Sequence, residues 1–336
     1  MKELVSVLAL LVILVTAFTL WSSYNNTFTL NAYSEYSDLH SLIQTCVGTD
    51  TSFTPTACPT CVHHSPLSDP RFYNPSMLGK REYTLRLSPY NYCRRYSIPD
   101  TKHLHEQRTL YMKDGIVEHV LMNSEDARLF KFDGRTFVIF TRLKTIDPYE
   151  TDMVIADLSS VTPREIILQY GASKAVEKNW VVNATLGDDL YMSYSLNPHV
   201  VLKVDVATGV CTKAFETFNN NISGELRGSS QMISFNETYL IAVVHTTSPV
   251  LSWPFRLYRH RFCAFESAPP FRCVSVGPWF RFPKVFKDSR DSIQFCCGLA
   301  AHNDGYLISY GVADCIAKYI HLSKEQIARQ LPVLVQ

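Results

Sequence analysis

The chain has 336 residues, with 32 Lys and Arg against 31 Asp and Glu and a formal net charge of +1. That balance gives no electrostatic reason to expect nucleic acid or an acidic membrane surface as a partner. Apolar residues make up 46% of the chain, enough for a sizeable core, and no low-complexity tract interrupts it.

The first element is Leu4 to Trp21, 18 residues without a charge. Its length fits a short membrane span and exceeds the apolar part of a usual signal peptide. Lys2 precedes it, and no Lys or Arg follows until Arg71. The expectation is a signal-anchor: a cytoplasmic tail at 1–3, a transmembrane helix at 4–21 and a lumenal or extracellular body. A cleaved secretory signal, with Ala17 near the cut, is the alternative, and it also places the body outside the cytosol. Residues 22–70 are rich in Ser, Thr, Asn, Tyr and Pro and read as a stem.

Four Asn-x-Ser/Thr sequons (Asn25, Asn183, Asn221, Asn236) and ten cysteines fit an oxidising compartment. Cys58-Pro-Thr-Cys61 could be half of a zinc or redox site. No second CxxC and no paired histidine completes it, so structural disulfides are expected, and no metal or cofactor.

From Arg71 onward strand signals dominate, and residues 71–336 are expected to form one all-β domain. Five times a short polar motif is followed, about ten residues later, by an aromatic-led apolar strand. The pairs are Asn74-Pro-Ser76 with Tyr83–Arg86, Glu125-Asp-Ala-Arg128 with Phe137–Arg142, and Lys178-Asn-Trp180 with Tyr191–Ser195. Arg227-Gly-Ser-Ser230 with Tyr239–His245 and Phe295–Leu299 with Tyr306–Gly311 complete the set. The first three intervals are 50, 52 and 50 residues, and the last is longer. A period near fifty built of short strands predicts a five-bladed β-propeller. Asp133-Gly134, Asp188-Asp189 and Asn303-Asp-Gly305 read as hairpin turns. Residues 98–120, with His103, His105 and His119, read as a charged linker between the first two blades. One helix is expected, from Ser323 to Leu331 on the outside of the last blade, capped by Ser323.

A propeller gathers the starts of its inner strands around the axis, so the polar motifs are candidates for lining one pocket. Glu125-Asp126-Ala127-Arg128 is the sharpest of them. As a regular strand it would turn Asp126 and Arg128 to one face and Glu125 to the other. A buried carboxylic acid there could protonate a departing glycosidic oxygen; a structural Asp–Arg pair is the bland alternative. Arg86, Arg128, Lys178 and Arg227 come from different blades, and converging cations suit phosphate or diphosphate. Asn74, Glu125, Asn179, His199, His245 and Asp314 are candidates for holding sugar hydroxyls.

These motifs, in this order, resemble those of the five-bladed β-mannoside phosphorylases and of the inverting β-mannosyltransferases related to them. The resemblance covers roughly residues 71–320. It implies that Asp126 is the proton donor and that Arg128 and Lys178 hold phosphate or a donor diphosphate. Ala127 stands where the family usually has proline. The expected anchor and stem resemble the architecture of Golgi-type transferases. The sequence therefore leads to a membrane-anchored lumenal glycosyltransferase of the Golgi or endoplasmic reticulum, moving mannose from a nucleotide sugar to a glycan. A glycoside phosphorylase or hydrolase acting on β-mannosides is the alternative, and a non-enzymatic carbohydrate-binding propeller is the third reading.

Overall fold

The computed structural model describes residues 71–88, 106–186, 188–220, 222, 224–249, 256–286 and 289–335. The expected tail, span and stem lie outside the described residues, as do Asn25, Asn221, Cys46, Cys58, Cys61 and Cys93. Among the described residues no helix is long and apolar enough to cross a membrane.

The strands form five sheets, one per blade. Blade 1 is β1 (Arg71–Gly79), β2 (Glu82–Ser88), β3 (Arg108–Lys113) and β4 (Ile116–Met122). Blade 2 is β5 (Glu125–Phe132), β6 (Arg135–Thr145), β7 (Glu150–Asp157) and β8 (Arg164–Ile167). Next, β9 (Gln169–Tyr170) pairs in parallel with the outer strand of blade 3. That blade is β10 (Val181–Leu186), β11 (Asp189–Leu196), β12 (His199–Val204) and β13 (Val210–Thr217). In blade 4 the inner strand is broken, and β14 (Arg227–Gly228) and β15 (Ile233–Ser234) both pair with β16 (Tyr239–Pro249). β17 (Arg256–Glu266) and β18 (Cys273–Val276) follow. Blade 5 is β19 (Gln294–His302), β20 (Gly305–Val312) and β21 (Ile316–Ser323). The fifty-residue beat is therefore the inner hairpin of each blade: motifs on or just before β1, β5, β10, β14 and β19, and aromatic-led strands at β2, β6, β11, β16 and β20.

Five apolar clusters close the ring, one at each blade-to-blade interface. Tyr111 and Leu121 pack with Leu129 and Val138 between blades 1 and 2. Ile139 and Ile155 meet Trp180 and Met192, then Val201 meets Val244 and Phe265. Val243 and Phe262 meet Leu299 and Ile308. Leu307 and Ala317 return to Met77 and Leu85, joining the last blade to the first.

Several local expectations hold. Asp133 and Gly134 take φ of 48° and 69°, the paired left-handed conformations of a two-residue hairpin turn. Asp114-Gly115 makes the same turn (φ 52° and 80°), although it falls in the stretch read as a linker. That reading is corrected: β3 and β4 occupy most of it, because Leu110, Tyr111 and Met112 are buried and suffice to seat a strand among three others. Ser323 caps the helix in a capping box with Gln326. The helix is Lys324–Ala328, shorter than expected, and buries Ile327 against the cluster between blades 4 and 5, which Leu331 joins from beyond the helix end.

The sequon at Asn183 is not a glycan acceptor in the folded chain. Its side chain is 2% exposed, and its Oδ1 accepts from Ser193 N and Oγ at 2.9 and 2.7 Å. Asn236 is exposed in a turn. Cys211, Cys263, Cys273, Cys296 and Cys297 are free buried thiols, so the expected disulfide framework does not extend to them. Cys315 is disulfide-bonded.

Candidate active site

Asp126 sits at a β-bulge. Glu125 pairs with Thr141, and the next partner pair, Arg128 with Ile139, spends one extra residue on β5. Asp126 absorbs that residue with φ of 50°. The bulge cancels the expected alternation: Glu125 and Asp126 both reach the same guanidinium. Arg86, rising from β2, holds Glu125 Oε1 at 3.0 Å through Nη2 and Asp126 Oδ1 at 2.9 Å through Nη1. Its Nε donates to Gln107, which also accepts from Tyr73 OH at 3.2 Å.

Asn74 lies at a matching bulge in β1 (φ 45°), and its Nδ2 donates to Asp126 Oδ1 at 2.8 Å. Asn179 (φ 64°) and Asp314 (φ 50°) take the left-handed conformation as well. Four candidate site residues thus hold a backbone that side chains rarely adopt, a form of strain that collects at functional sites. Two glycines make room for them. A Cβ on Gly311 would lie 1.8 Å from Asn74 Oδ1, and one on Gly228 would lie 2.3 Å from the Asn179 carbonyl. Gly311→Ala is expected to displace Asn74 and to lower turnover about tenfold or more, a cost typical of misplacing a positioning group. Steady-state kinetics beside a melting curve checks this, since turnover should fall further than the loss of folded protein explains.

Arg128 is fully buried and ties three blades together. Its Nε donates to Ser229 O, its Nη1 to Asp126 O at 3.0 Å and its Nη2 to Asn179 Oδ1 at 3.2 Å. Its guanidinium also lies over the Phe295 ring. Lys178 donates to Glu125 Oε2 at 3.0 Å and lies over the Tyr149 ring. Glu125, Asp126, Arg86, Arg128 and Lys178 therefore form one network, and 16% of the Asp126 side chain remains exposed, enough to meet a ligand.

Burial pushes the Asp126 carboxyl upward, but the charges of Arg86, Arg128 and Lys178 and the Asn74 amide outweigh it and hold the group below the usual carboxylate range. Asp314 behaves oppositely. Burial raises it to about 6; Arg86 and Lys178 oppose the rise while Asp126 and Glu125 add to it. The pocket holds an ionised carboxylate beside one that is easily protonated.

His245 faces this network from β16. It is buried, shares a 2.8 Å hydrogen bond with Ser229 Oγ and stacks on Tyr258. Burial, then the charges of Arg227 and Arg128, lower it to about 3, so it is a neutral hydrogen-bonding group. Tyr258 also meets the edge of Phe295, the ring under the Arg128 guanidinium, and is raised to about 12 by burial and by the charges of Asp314 and Asp126.

Of the residues expected at the site, Asn74, Arg86, Glu125, Asp126, Arg128, Lys178, Asn179, His245 and Asp314 are brought together by contact or by charge. His199 is not. It lies between blades 3 and 4, sharing a 2.6 Å hydrogen bond with Ser193 Oγ and packing on Phe265, and is a core histidine. Arg227 stands at the margin, bound by Glu225. The fifth motif, Phe295–Leu299, supplies an aromatic wall in place of polar groups. Gln107, Tyr149 and Tyr258 were missed, since none belongs to the repeat. The alternation Arg256, Tyr258, His260 along one strand face was the available signal for Tyr258.

The sequence matches no protein-family model and no curated protein. Among solved structures, a glycosyl hydrolase from Bacteroides ovatus is similar with a TM-score of 0.57 and 11% identity, covering 83% of this chain and 93% of that one. A β-1,2-mannobiose phosphorylase from Listeria innocua, in complex with β-1,2-mannobiose, gives 0.52 and 13%, covering 84% and 99%. The chain has the five-bladed fold of these propellers. A GDP-Man-dependent mannosyltransferase from Leishmania mexicana gives 0.53 and 12%, covering 76% and 86%. At such identities the likeness concerns the fold.

Proposed function

We propose that this protein is a carbohydrate-active enzyme that cleaves a β-linked glycoside, a β-mannoside first, by phosphorolysis or hydrolysis at the axial pocket. One observation carries the reading. Three carboxylates and three cations from separate blades converge on a pocket whose Asp126, Asn74, Asn179 and Asp314 all hold strained backbones. The charges nearly balance. Arg86 and Lys178 are met by Glu125 and Asp126, which suits a neutral sugar better than the uncompensated cation cluster expected from sequence.

In cleavage the bond between the anomeric carbon and the glycosidic oxygen breaks, a proton reaches that oxygen, and water or phosphate bonds to the carbon. Asp126 is the residue through which the proton passes. It rests as a carboxylate, so it takes up a proton from solvent before passing it to the glycosidic oxygen, and the water or phosphate that bonds to the carbon returns a proton to solvent. Covering the exposed part of Asp126 strengthens the burial that already acts against ionisation.

The same carboxylate favours a second reading, mannosyl transfer from a nucleotide sugar to a glycan. An ionised Asp126 is ready to accept the proton of an acceptor hydroxyl. The pH dependence of kcat/KM separates the two. As an acid in the free enzyme, Asp126 makes kcat/KM fall about tenfold per unit across neutral pH. As a base, it leaves the profile level there. The direct test incubates the purified full-length chain with β-mannosides, with and without phosphate, and separately with nucleotide sugars and glycan acceptors. A sugar 1-phosphate or a free sugar supports the first reading. Product only from the nucleotide sugar supports the second, and no product from any pair counts against both.

A further inference from the structure

Glu177 stands just outside the third polar motif, directly before Lys178 and Asn179. Its side chain is buried, and three neutral donors meet its carboxylate. Lys174 N and the Tyr194 hydroxyl donate to Oε1, the hydroxyl at 3.1 Å. The Trp180 indole donates to Oε2 at 2.8 Å. That bond joins residues three apart, so it spans Lys178 and Asn179 as a clasp.

Both sides of the clasp are anchored. Trp180 is 1% exposed and belongs to the cluster between blades 2 and 3. Tyr194 is the extra residue at a bulge in β11, where Ser193 pairs with Val201 and Ser195 with Val200. Its ring makes T-shaped contacts with Trp180 and Tyr170, with centroids 5.3 and 5.0 Å away. On the other side the backbone is sewn to the start of β7. Glu177 N donates to Thr151 O, Thr151 Oγ1 to Glu177 O at 2.8 Å and Thr151 N to Ala175 O at 3.0 Å. Tyr149, whose ring lies against the Lys178 ammonium, comes two residues before Thr151.

The two residues inside the clasp reach across to β5. Asn179 accepts from Arg128 Nη2 at 3.2 Å, and Lys178 donates to Glu125 Oε2 at 3.0 Å. Asn179 does so at φ of 64°, a conformation that persists only where the surroundings impose it. An ammonium has three donors, and 30% of the Lys178 side chain is exposed, so Lys178 can meet a substrate while it holds Glu125. Burial acts against its charge, but Glu125 outweighs burial and keeps the group above its ordinary range.

We propose that Glu177 is a positioning residue of the axial pocket, whose clasp fixes Lys178 on Glu125 and Asn179 on Arg128 in the geometry that a sugar substrate meets. The inference rests on the sugar-processing reading of that pocket. In Glu177→Gln one acceptor oxygen would remain where three donors converge, and the amide nitrogen would face a donor. The strained turn then relaxes and both residues lose their register on β5.

The test compares the purified full-length wild type with E177Q, K178A and the double variant, on a β-mannoside that the wild type turns over. E177Q should lower turnover about tenfold to a hundredfold. In the K178A background the same change should cost less than about threefold, because the group it positions is gone. Y194F removes one donor and leaves the ring packed, and should lose about threefold. A second measurement needs no substrate: acetylation of Lys178 by acetic anhydride, followed by mass spectrometry, with Lys131 as the internal reference. Lys178 should react about tenfold faster in E177Q, and faster in Y194F, with Lys131 unchanged. Unaltered labelling of Lys178 in both variants, or equal rate losses in the two backgrounds, overturns the proposal. Turnover of Asp126→Asn is measured alongside. If that variant keeps full activity, the pocket reading fails, and the labelling still decides the clasp.

Discussion

Asp126→Asn is expected to lower turnover about a thousandfold, the size of effect that loss of a positioned proton-transfer group produces. Substrate affinity should change little, because the amide keeps the shape of the carboxyl and can still meet Asn74 and the arriving sugar. The folded state should tolerate the change only in part. Arg86 keeps Glu125 as a partner at 3.0 Å but loses one carboxylate at 2.9 Å. A modest fall in melting temperature is therefore expected beside the large fall in rate. Steady-state kinetics and a melting curve on the same preparation check both, and a rate within tenfold of wild type would remove Asp126 from the chemistry.

The second large effect is on stability in acid. His199, His245 and His260 are all buried in the folded chain. Burial lowers His199 to about 4 and His245 to about 3. It takes His260 well below its ordinary value, helped by the charges of His245 and Arg281. All three are depressed from an ordinary value of 6.5, so the unfolded chain binds their protons first as pH falls. The stability they preserve is complete well above that value and is lost progressively below it. At pH 5 His199 and His245 each contribute a loss of about 2 kcal/mol, and His260 acts in the same direction. Asp314 acts in the opposite sense. Its raised carboxyl takes up a proton in the folded state on the way down, returning about 1 kcal/mol. The net expectation is a loss of about 3–5 kcal/mol between pH 7.5 and pH 5, a large part of an ordinary domain's stability. Urea melts across that range check it, and a His245→Gln variant should show a shallower decline. A midpoint independent of pH would contradict the burial of these rings as neutral groups.

The arrangement of blades was legible because one hairpin of each blade repeats, at nearly constant spacing over the first four, and those four begin with polar residues before an aromatic strand. Blade 1 was the least legible beyond its first hairpin. Its third strand is only Arg108–Lys113, among residues whose composition reads as a linker. Most residues of the candidate site lie on the repeat or just after it, whereas Gln107 and Tyr149 arrive from connections where no spacing marks them, and Tyr258 is marked only by its alternation with Arg256 and His260. The grouping of Glu125 with Asp126 on one arginine could not be read from the chain, because a bulge with a left-handed residue inverts the alternation that a strand pattern assumes. The partners of the cations were not legible either: sequence shows the charge of Arg86 and Arg128 but not the carboxylates, amides and carbonyls that they meet in the folded chain. His199 misled in the same way, since a buried ring satisfied by a hydroxyl looks, in sequence, like a ligand.

The most direct measurement is the dependence of Asp126→Asn on the leaving group. Wild type and variant would be compared on a β-mannoside with a sugar leaving group and on a dinitrophenyl β-mannoside, whose leaving group departs without a proton. The account predicts a loss of about a thousandfold on the first substrate and less than about tenfold on the second. Equal losses on both, or full activity on the first, would contradict the assignment of Asp126 to proton transfer.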